Sequence, residues 1–467
     1  MKNIIIESLV SSQKTAILED NTLMELLIED NSNQKIVSNI YRGIVKNIKP
    51  GIEAAFVDIG VEKLAYLPIG KNKEIKSGQD IMVQVNKEGI GTKGAKLNLE
   101  ISLSGRYLVY IPSNDRSTMS NKIVDEKERF RLKKIIKAIN KENLGIIVRT
   151  EAQGCSLDDL KEDLDNLKEK YELICKEFKL GIGPKTLYKD LDFATKYVKD
   201  NVNEYVDKIV VNDEKKYEEL KNILKNINKD YTNKLLLEKN KDVFDLYKVN
   251  SQIEKSINRK VWLKNGGYLV IDKTEAMTVI DVNTGKFTGS TKLDETVYKT
   301  NLEATREIAR QLRLRDIGGI IIIDFIDMNK KEYKEEVLKS LDKELKKDKR
   351  KSEVLGLTRL GLVEVARRRD KESVDNYFLG QCPTCNEKSY LKSINVIIDD
   401  IEKEIMRISE HTSYKSVNIE LNYKVYNEIN KNWKNILSTI SKKYGIILEL
   451  KETNELSYEK VKIIYNT

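Results

Sequence analysis

The chain has 467 residues, of which 40% are hydrophobic and 34% are charged. It can therefore form several cores, and its charged surface argues against a membrane protein. The 83 basic and 74 acidic residues give a net charge of +9, which is compatible with a polyanionic partner but does not require one. A single histidine excludes most chemistry that needs several histidines, so carboxylates and metals are the expected means of catalysis.

The compartment is predicted from what the sequence lacks. No apolar run reaches the roughly 18 residues that a transmembrane helix needs, and the start MKNIIIESLV lacks the longer apolar region of a signal peptide. Four cysteines are too few for a disulfide scaffold in a chain of this length. We therefore expect a cytoplasmic protein without a membrane span. The one histidine, His411, is predicted to lie at the polar end of a helix.

The predicted elements change in kind along the chain. Alternating apolar residues predict a meander of strands in residues 1–35, and short strands separated by Gly and Pro in residues 36–100 predict a small closed barrel, with an OB-fold as the first choice. Residues 101–190 combine strands such as RYLVYIP and LGIIVRTEA with two long helices. Residues 191–257 are mainly helical with two short strands, and residues 393–467 indicate a small α+β unit.

Two aspartates follow strands on either side of a helical stretch. GGYLVIDKTEAMTVIDVNTG is typical of two strands, the second from about Met277 to Asn283. The helix after it has Asp294 as its predicted N-cap, and the next strand, IIIID, ends at Asp324. Such strand-helix-strand units usually have parallel strands. We therefore expect Asp281 and Asp324 to converge at one edge of a sheet, with Asn283 on the same face.

Converging carboxylates repel each other unless a cation lies between them. Hard oxygen ligands suit Mg²⁺, which stabilises the charge that builds on a phosphate during in-line attack. The alternative is that Asp281 and Asp324 are ordinary strand-end residues that begin turns. We assign that ordinary role to Asp327, in a turn that leads into a helix capped near Asn329.

The cysteines suggest a second metal. QCPTCNEKSY places Cys382 and Cys385 at the C-x-x-C spacing that forms half of a four-cysteine zinc site. Cys155 and Cys175 stand alone and are predicted to be buried small apolar residues. A closed site would therefore need ligands from a second chain. A redox role for the C-x-x-C pair is the alternative.

Three motifs follow one another along the chain: VIDVNTG, NLEATREIARQLRLRDIGGIIIIDFIDM and TRLGLVEVARRR. Together they resemble the catalytic core of the ribonuclease E/G family of bacterial endoribonucleases, and the chain is similar in size to the short form of that family. The resemblance implies that Asp281 and Asp324 hold Mg²⁺ and that Asn283 assists. It also implies hydrolysis of single-stranded RNA to 5′-phosphate and 3′-hydroxyl ends, in rRNA and tRNA processing and mRNA decay.

The same resemblance assigns RNA-binding residues in the barrel. GIEAAFVDIG and KLAYLPI are similar to the family's OB-fold RNA-binding domain. Phe56 and Tyr66 would then stack on bases, which stabilises a complex by about 1–3 kcal/mol per base. Lys87 and Lys93 would lie near the phosphates. Without the resemblance, Phe56 would be assigned to the core, whereas the hydroxyl of Tyr66 suits an exposed position.

A third set of residues is implied for the 5′ end of the RNA. GIIVRTEA resembles the family's sensor for a 5′-monophosphate, which would place Arg149 and Thr150 on the phosphate. A guanidinium binds phosphate oxygens in bidentate fashion and a hydroxyl adds a donor. The backbone around Gly105 and Val109 would receive the terminal base. The alternative for Arg149 is an arginine on a surface strand.

In the family, zinc is shared between two chains, which implies a homodimer or a dimer of such dimers. Cys382 and Cys385 would supply this chain's ligands. The sequence departs from the family after the second cysteine, where Asn386, Glu387 and Lys388 replace glycines, so the resemblance covers the spacing of the ligands but not the turn that follows them.

We therefore predict a multidomain α/β and α+β fold with a strand-helix-strand carboxylate site. Its expected parts are an RNase H-like structural subdomain (1–35 and 191–257), an OB-fold RNA-binding barrel (36–100), a 5′-end sensor region (101–190), a DNase I-like catalytic domain (258–381), a zinc-link (382–392) and a small C-terminal α+β domain (393–467). Two other functions stay open. The carboxylates count against a non-catalytic RNA-binding protein, and the barrel and sensor count against a Mg²⁺-dependent phosphatase or DNase.

Overall fold

The computed structural model describes residues 1–31, 36–69, 75–89, 94–285, 293–348, 350–368, 373–381 and 388–466. The chain forms two compact units. Unit 1 contains residues 1–32 and 202–467, and unit 2 contains residues 33–201. Within the described ranges, no helix is both long enough and apolar enough to cross a membrane.

Five strands of unit 2 close into a barrel. Strand Ile40–Lys49 pairs with Ala54–Asp58 on one side and with Asp80–Lys87 on the other. Strands Ala65–Pro68 and Lys96–Asn98 complete the circle. Because side chains alternate between the two faces of a strand, apolar residues fill the interior; they include Val45, Ala55, Val57, Ala65, Leu67, Val83, Val85 and Leu97. The closed five-stranded barrel is consistent with the predicted OB-fold.

A four-stranded sheet and two long helices follow the barrel. In spatial order the strands are Ser117–Met119, Gly145–Val148, Leu108–Ile111 and Leu103–Ser104. Helices Glu126–Ile139 and Leu157–Leu180 begin where the sequence predicts, because the side chains of Asp125 and Ser156 cap them. The remaining elements of unit 2 are the 3₁₀ helices Pro50–Ile52 and Thr150–Ala152, strand Lys185–Tyr188 and helix Phe193–Asn201.

The two lone cysteines of unit 2 are not fully buried. Cys155 and Cys175 are both intermediate in exposure, so the prediction of buried residues was wrong. Cys155 lies just before the helix Leu157–Leu180, at the edge of the core and not inside it. Partial burial nevertheless raises the pKa of the Cys155 thiol.

Unit 1 begins with the predicted three-stranded meander. Strands Lys2–Ser8, Ser12–Glu19 and Thr22–Asp30 are antiparallel. Strands Val206–Val211 and Leu235–Leu237 extend the sheet in parallel, and both were predicted from their apolar runs. The helices that accompany this sheet are Glu214–Ile227, Val243–Leu246 and Val249–Ile257, with the 3₁₀ helix Lys229–Lys234 between the first two.

A second sheet in unit 1, the central sheet, has six strands. In spatial order they are Lys260–Trp262, Tyr268–Lys273, Met277–Asn283, Gly319–Asp324, Val363–Arg367 and Ser352–Leu357. Strands Met277–Asn283 and Gly319–Asp324 are parallel, as predicted, and the helix Leu293–Leu314 lies between them in the chain. The other neighbouring pairs are antiparallel.

The two faces of the central sheet differ in burial. One face packs on the helices Leu293–Leu314 and Lys331–Leu345; its buried residues include Leu269, Ile271, Ile280, Val282, Ile321 and Ile323. The opposite face, called the open face below, carries the exposed residues Met277 and Ile320. Because cross-strand partners lie on the same face, the register of the strands decides which polar residues share the open face.

Both predicted helix caps next to the central sheet were wrong. The helix Leu293–Leu314 already includes Leu293, so Asp294 lies in its first turn, where its charge is favourable to the helix dipole. Lys330 precedes the helix Lys331–Leu345, and no side chain caps it. Asn329 donates instead to Asp294, with the amide nitrogen 3.2 Å from the carboxylate oxygen.

The C-terminal elements combine helices with a three-stranded sheet. Its strands are, in spatial order, Ile447–Thr453, Ser416–Asn422 and Val461–Asn466. The helices are Ile394–His411, Tyr423–Asn432 and Lys434–Tyr444, and His411 ends the first of them as predicted. Between the central sheet and these elements lie the short helix Asp375–Phe378 and the paired strands Leu379–Gln381 and Lys388–Lys392.

Buried ion pairs attach the helix Ile394–His411 to the first sheet of unit 1. Lys14 lies 2.7 Å from Asp399 of that helix and 3.2 Å from Glu7 of its own sheet. Breaking such a buried pair costs about 3–5 kcal/mol, because the remaining charge has no partner. The C-terminal helix therefore has a fixed place in unit 1.

Candidate active site

Asp281 and Asp324 are direct partners across the two parallel strands of the central sheet. Both are exposed, and they share the open face because partners in register point to the same side. The buried residues Ile280 and Ile323, one position earlier in each strand, point into the core. This register confirms the predicted juxtaposition. The role of the two carboxylates is still a prediction.

Asn283 completes the group as predicted from its spacing. Its side-chain amide donates to Asp281, with 2.7 Å between the nitrogen and the carboxylate oxygen. The two residues lie two positions apart on one strand, so their side chains point to the same face. The hydrogen bond restricts the rotation of the Asp281 carboxylate and leaves its remaining lone pairs available.

The pKa of Asp324 is raised above its ordinary value. Partial burial is the largest cause, followed by the negative charges of Asp281 and Asp327. In the part of the chain that the structure describes, none of the ion pairs involves any of these three aspartates. The charges therefore repel one another, and a bound cation would relieve the repulsion.

Asp327 adds negative charge to the candidate site, which was not predicted from the sequence. It was assigned to an ordinary turn, yet its charge is felt by Asp324. The turn is held by Asn301, which is fully buried on the helix Leu293–Leu314. Its amide nitrogen donates to the carbonyl of Ile326 at 2.8 Å, and its oxygen accepts from the backbone N–H of Ile326 at 3.2 Å. An acidic residue three positions after a strand-end aspartate was the available signal.

The donor set fits a hard cation that keeps part of its hydration shell. Among the described residues, no group of three or more His, Cys, Asp or Glu side chains converges on a metal position. The candidate site therefore offers two carboxylates, from Asp281 and Asp324, with one supporting amide. Mg²⁺ usually binds through one or two carboxylates together with water and substrate phosphate oxygens, which matches this set.

The structure brings Phe56 and Tyr66 together on the outside of the barrel. They are direct partners on neighbouring strands, and their ring centroids are 6.3 Å apart in an edge-to-face arrangement. Both are half-buried, whereas their neighbours Ala55 and Leu67 are buried inside the barrel. The rings are therefore placed where a base could stack on them.

Positive charge surrounds this aromatic pair. Lys87 is exposed at the end of its strand, where it pairs with Lys96, and Lys96 in turn pairs with Tyr66. The ammonium of Lys49, which sequence reasoning missed, lies 5.6 Å from the centre of the Phe56 ring. The predicted Lys93 lies outside the described residues.

Arg149 is the most constrained of the predicted sensor residues. Its guanidinium donates to both oxygens of Asp200, at 3.1 and 2.6 Å, and to the carbonyl of Gly105 at 2.6 Å. Arg149 and Gly105 thus lie in contact, and their role at the 5′ end of the RNA is still a prediction. The guanidinium N–H groups that a phosphate would use are already bound by the Asp200 carboxylate. No local sequence pattern indicates this ion pair.

The other residues predicted for the sensor, Thr150 and Val109, also belong to unit 2. The Thr150 hydroxyl lies 3.3 Å from that of Ser120. Val109 pairs with Ser104 and Ile147 on its two sides. Lys199, which was not predicted, donates to the carbonyl of Ser104 at 3.1 Å, and burial lowers its pKa.

Position 105 requires a glycine because the backbone there passes close to the side chain of Asp163. A Cβ atom at this position would lie 2.3 Å from a carboxylate oxygen of Asp163. That carboxylate accepts the backbone N–H groups of Arg106, Tyr107 and Leu108 at 2.9–3.0 Å. Asp163 therefore fixes the turn whose carbonyl holds Arg149.

The predicted zinc ligands Cys382 and Cys385 lie outside the described residues.

Known proteins that are similar to this chain belong to the family that its three long motifs resemble. The model of the Ribonuclease E/G family matches residues 102–370. Ribonuclease G of Escherichia coli (strain K12) is 39% identical, with 87% of both chains covered. Ribonuclease G of Haemophilus influenzae is 37% identical over 85% of both chains. Ribonuclease E of a Nostoc species is 37% identical over 80% of this chain and 57% of its own.

Proposed function

Since the chain belongs to the ribonuclease E/G family and is an endoribonuclease, we propose that it hydrolyses single-stranded RNA with the help of Mg²⁺ at Asp281, Asn283 and Asp324. The products would carry a 5′-phosphate and a 3′-hydroxyl. One observation carries the proposal: two carboxylates face each other in register on the open face of the central sheet. Family membership also sets aside the non-catalytic RNA-binding protein, the phosphatase and the DNase.

In this proposal Asp281 and Asp324 hold the cation and Asn283 orients Asp281 through its 2.7 Å hydrogen bond. When bound, Mg²⁺ would stabilise the negative charge that builds on the scissile phosphate. Asp327 adds negative charge next to Asp324, which strengthens the attraction for a cation. Asn301 keeps that charge in place by holding the backbone of Ile326.

The barrel would bind the RNA through stacking and charge. Phe56 and Tyr66 offer half-buried rings side by side. Lys87, with Lys93 as predicted, would contact phosphates, and Lys49 would do so next to Phe56. Stacking tolerates any base, so this surface would supply affinity more than sequence preference.

A 5′-monophosphate would bind at Arg149 and Thr150, near the backbone of Gly105 and Val109. Arg149 donates to Asp200 through both ends of its fork, so the phosphate would have to displace that carboxylate. A phosphate carries more negative charge than a carboxylate near neutral pH, which favours the exchange. A 5′-hydroxyl end cannot offer this replacement.

Cys382 and Cys385 would bind Zn²⁺ together with the cysteines of a second copy, giving a homodimer or a dimer of such dimers. Support comes from the C-x-x-C spacing and from the family resemblance. For processes, we propose rRNA and tRNA processing and mRNA decay in the cytoplasm.

Changing Asp281 or Asp324 to Asn should abolish cleavage of a fluorescent single-stranded RNA in Mg²⁺. Losing a residue that merely supports a metal ligand costs about 10–100-fold in activity, so loss of a ligand should cost ~100-fold or more. RNA binding should persist, and EDTA should stop the unaltered protein. Glu335→Gln, an exposed carboxylate on a neighbouring helix, is the matched control. Full activity in either Asn variant would refute the metal site.

Changing Arg149 to Ala should reduce cleavage of 5′-monophosphate RNA by about tenfold or more, because charged hydrogen bonds are lost. Cleavage of the same RNA with a 5′-hydroxyl should not change. Asp200→Asn should raise the preference for the 5′-monophosphate, since the phosphate no longer competes with a full charge. Equal losses on both substrates in Arg149→Ala would contradict the sensor assignment.

Replacing Phe56 or Tyr66 with Ala should weaken RNA binding by roughly 5- to 150-fold, the equivalent of about 1–3 kcal/mol for one stacked base. Fluorescence anisotropy in EDTA measures this without cleavage. Tyr205→Ala removes an aromatic side chain that is 81% exposed in unit 1 and serves as the control. Unchanged affinity in both barrel variants would rule out the stacking role.

Cys382→Ser should remove zinc from the purified protein and convert the dimer to monomers, because half of the shared ligand set is lost. Elemental analysis and analytical ultracentrifugation measure the two effects. Cys175→Ser, at a half-buried lone cysteine, should change neither. A zinc-free dimer before any substitution would overturn the proposal.

A further inference from the structure

An aromatic pair lies on the open face of the central sheet, beside the carboxylates. Trp262 is the cross-strand partner of Tyr268, and Tyr268 is the partner of Asn283. These three residues therefore form one row across three strands, on a single face. Asn283 in turn donates to Asp281, so the row ends at the candidate metal site.

A second row runs beside the first. Lys260 pairs with Val270, Val270 with Asp281, and Asp281 with Asp324. Lys260 is exposed and lies two strands away from Asp281, which corresponds to about 10 Å at the usual spacing between strands. The strand register thus places one cation and two aromatic rings at a short, fixed distance from the two carboxylates.

Folding alone gives little reason for these side chains. Trp262 is 63% exposed, although a tryptophan is among the side chains that gain most from burial. The opposite side of the same sheet buries its apolar residues against two helices. Trp262 instead stands edge-to-face against Tyr268, with ring centroids 5.4 Å apart, and keeps most of its surface open to solvent.

Lys260 completes the arrangement. Its ammonium lies 3.5 Å from the centre of the Tyr268 ring and 4.2 Å from that of Trp262. Cation–π contacts of this kind hold the charge and the rings in one place. An exposed ring next to a fixed positive charge is the combination with which proteins bind single-stranded nucleic acid, where the ring stacks on a base and the cation attracts the backbone.

We propose that Trp262, Tyr268 and Lys260 form a nucleotide-binding subsite that holds the RNA next to the scissile phosphate. Trp262 stacks on a base, Tyr268 supports the indole ring, and Lys260 attracts a neighbouring phosphate. The subsite lies on the Asp281 side of the carboxylate pair, away from Asp324. It rests on the proposed function, because the scissile phosphate is placed at those carboxylates.

RNA fits this surface better than a second copy of the chain. The cores of protein–protein interfaces are depleted in charged residues, lysine included, whereas here an ammonium lies over both rings. The two rows also continue directly into the carboxylates, which is expected of a substrate subsite. Contact between two copies through this face would appear as a change in sedimentation in the experiment below.

The experiment uses the full chain, a short fluorescent single-stranded RNA with a 5′-hydroxyl end, and variants of Trp262. In an Asp324→Asn background, which prevents cleavage, Trp262→Ala should weaken RNA binding by roughly 5- to 150-fold, as expected for one stacked base. Trp262→Phe should recover most of the affinity. Tyr205→Ala, the exposed aromatic control, should have no effect, and thermal unfolding shows that each variant is folded.

A scan with abasic RNA locates the subsite. A series of RNAs, each lacking one base near the cut, is bound to the Asp324→Asn protein and to its Trp262→Ala variant. One position close to the cut should weaken binding to the parent, and the same position should have no further effect in the Trp262 variant. Equal sensitivity of both proteins at every position would overturn the proposal.

Cleavage by the protein with native Asp324 separates the two proposals. Trp262→Ala should raise KM more than it lowers kcat. If Trp262→Ala binds and cuts like the parent, the subsite is wrong and the carboxylate site stands. If the unaltered protein does not cut in Mg²⁺, the carboxylate site fails and the subsite next to it falls with it. If Trp262→Ala sediments as a smaller species with unchanged RNA affinity, the face joins two copies and the proposal is wrong.

Discussion

The in-register pairing of Asp281 with Asp324 is the constraint on which the rest of the structure depends. Ile280 and Ile323 are buried one position earlier in each strand, so the aspartates must point to the open face. A slip of one residue in either strand would turn the carboxylate of that strand into the core, where an unpaired charge costs several kcal/mol. The burial of the isoleucines therefore determines the face on which both carboxylates lie.

This arrangement opposes folding in the absence of a cation. The pKa of Asp324 is raised by partial burial and then by the charges of Asp281 and Asp327. A carboxyl group with a higher pKa in the folded protein binds its proton more tightly there. The contribution of Asp324 to the stability of the folded protein therefore falls as the pH rises from the pKa of the unfolded chain through the raised pKa of the folded protein. The hydrophobic core on the other side of the sheet and the clamp from Asn301 hold the site together against this repulsion.

Local sequence patterns predicted the helices and strands well, but they predicted the contacts between these elements less well. The alternating strands, the barrel and the two aspartates on parallel strands follow from short-range periodicity and from the usual direction of strand-helix-strand units. The helix cap at Asp294 was misplaced, because the exact end of a helix is uncertain by about one or two residues. Asn301, Asp327 and the Arg149–Asp200 pair depend on the folded path of the chain. No local pattern reports a hydrogen bond between residues that are far apart in sequence.

A crystal soaked in Mn²⁺ would show whether Asp281 and Asp324 hold a cation, because this ion replaces Mg²⁺ at oxygen ligands and has a distinct anomalous signal. We expect an anomalous peak between the carboxylates of Asp281 and Asp324 on the open face, with the Asn283 amide still bonded to Asp281. A peak elsewhere, with the two carboxylates turned apart or paired with a lysine or arginine, would contradict it.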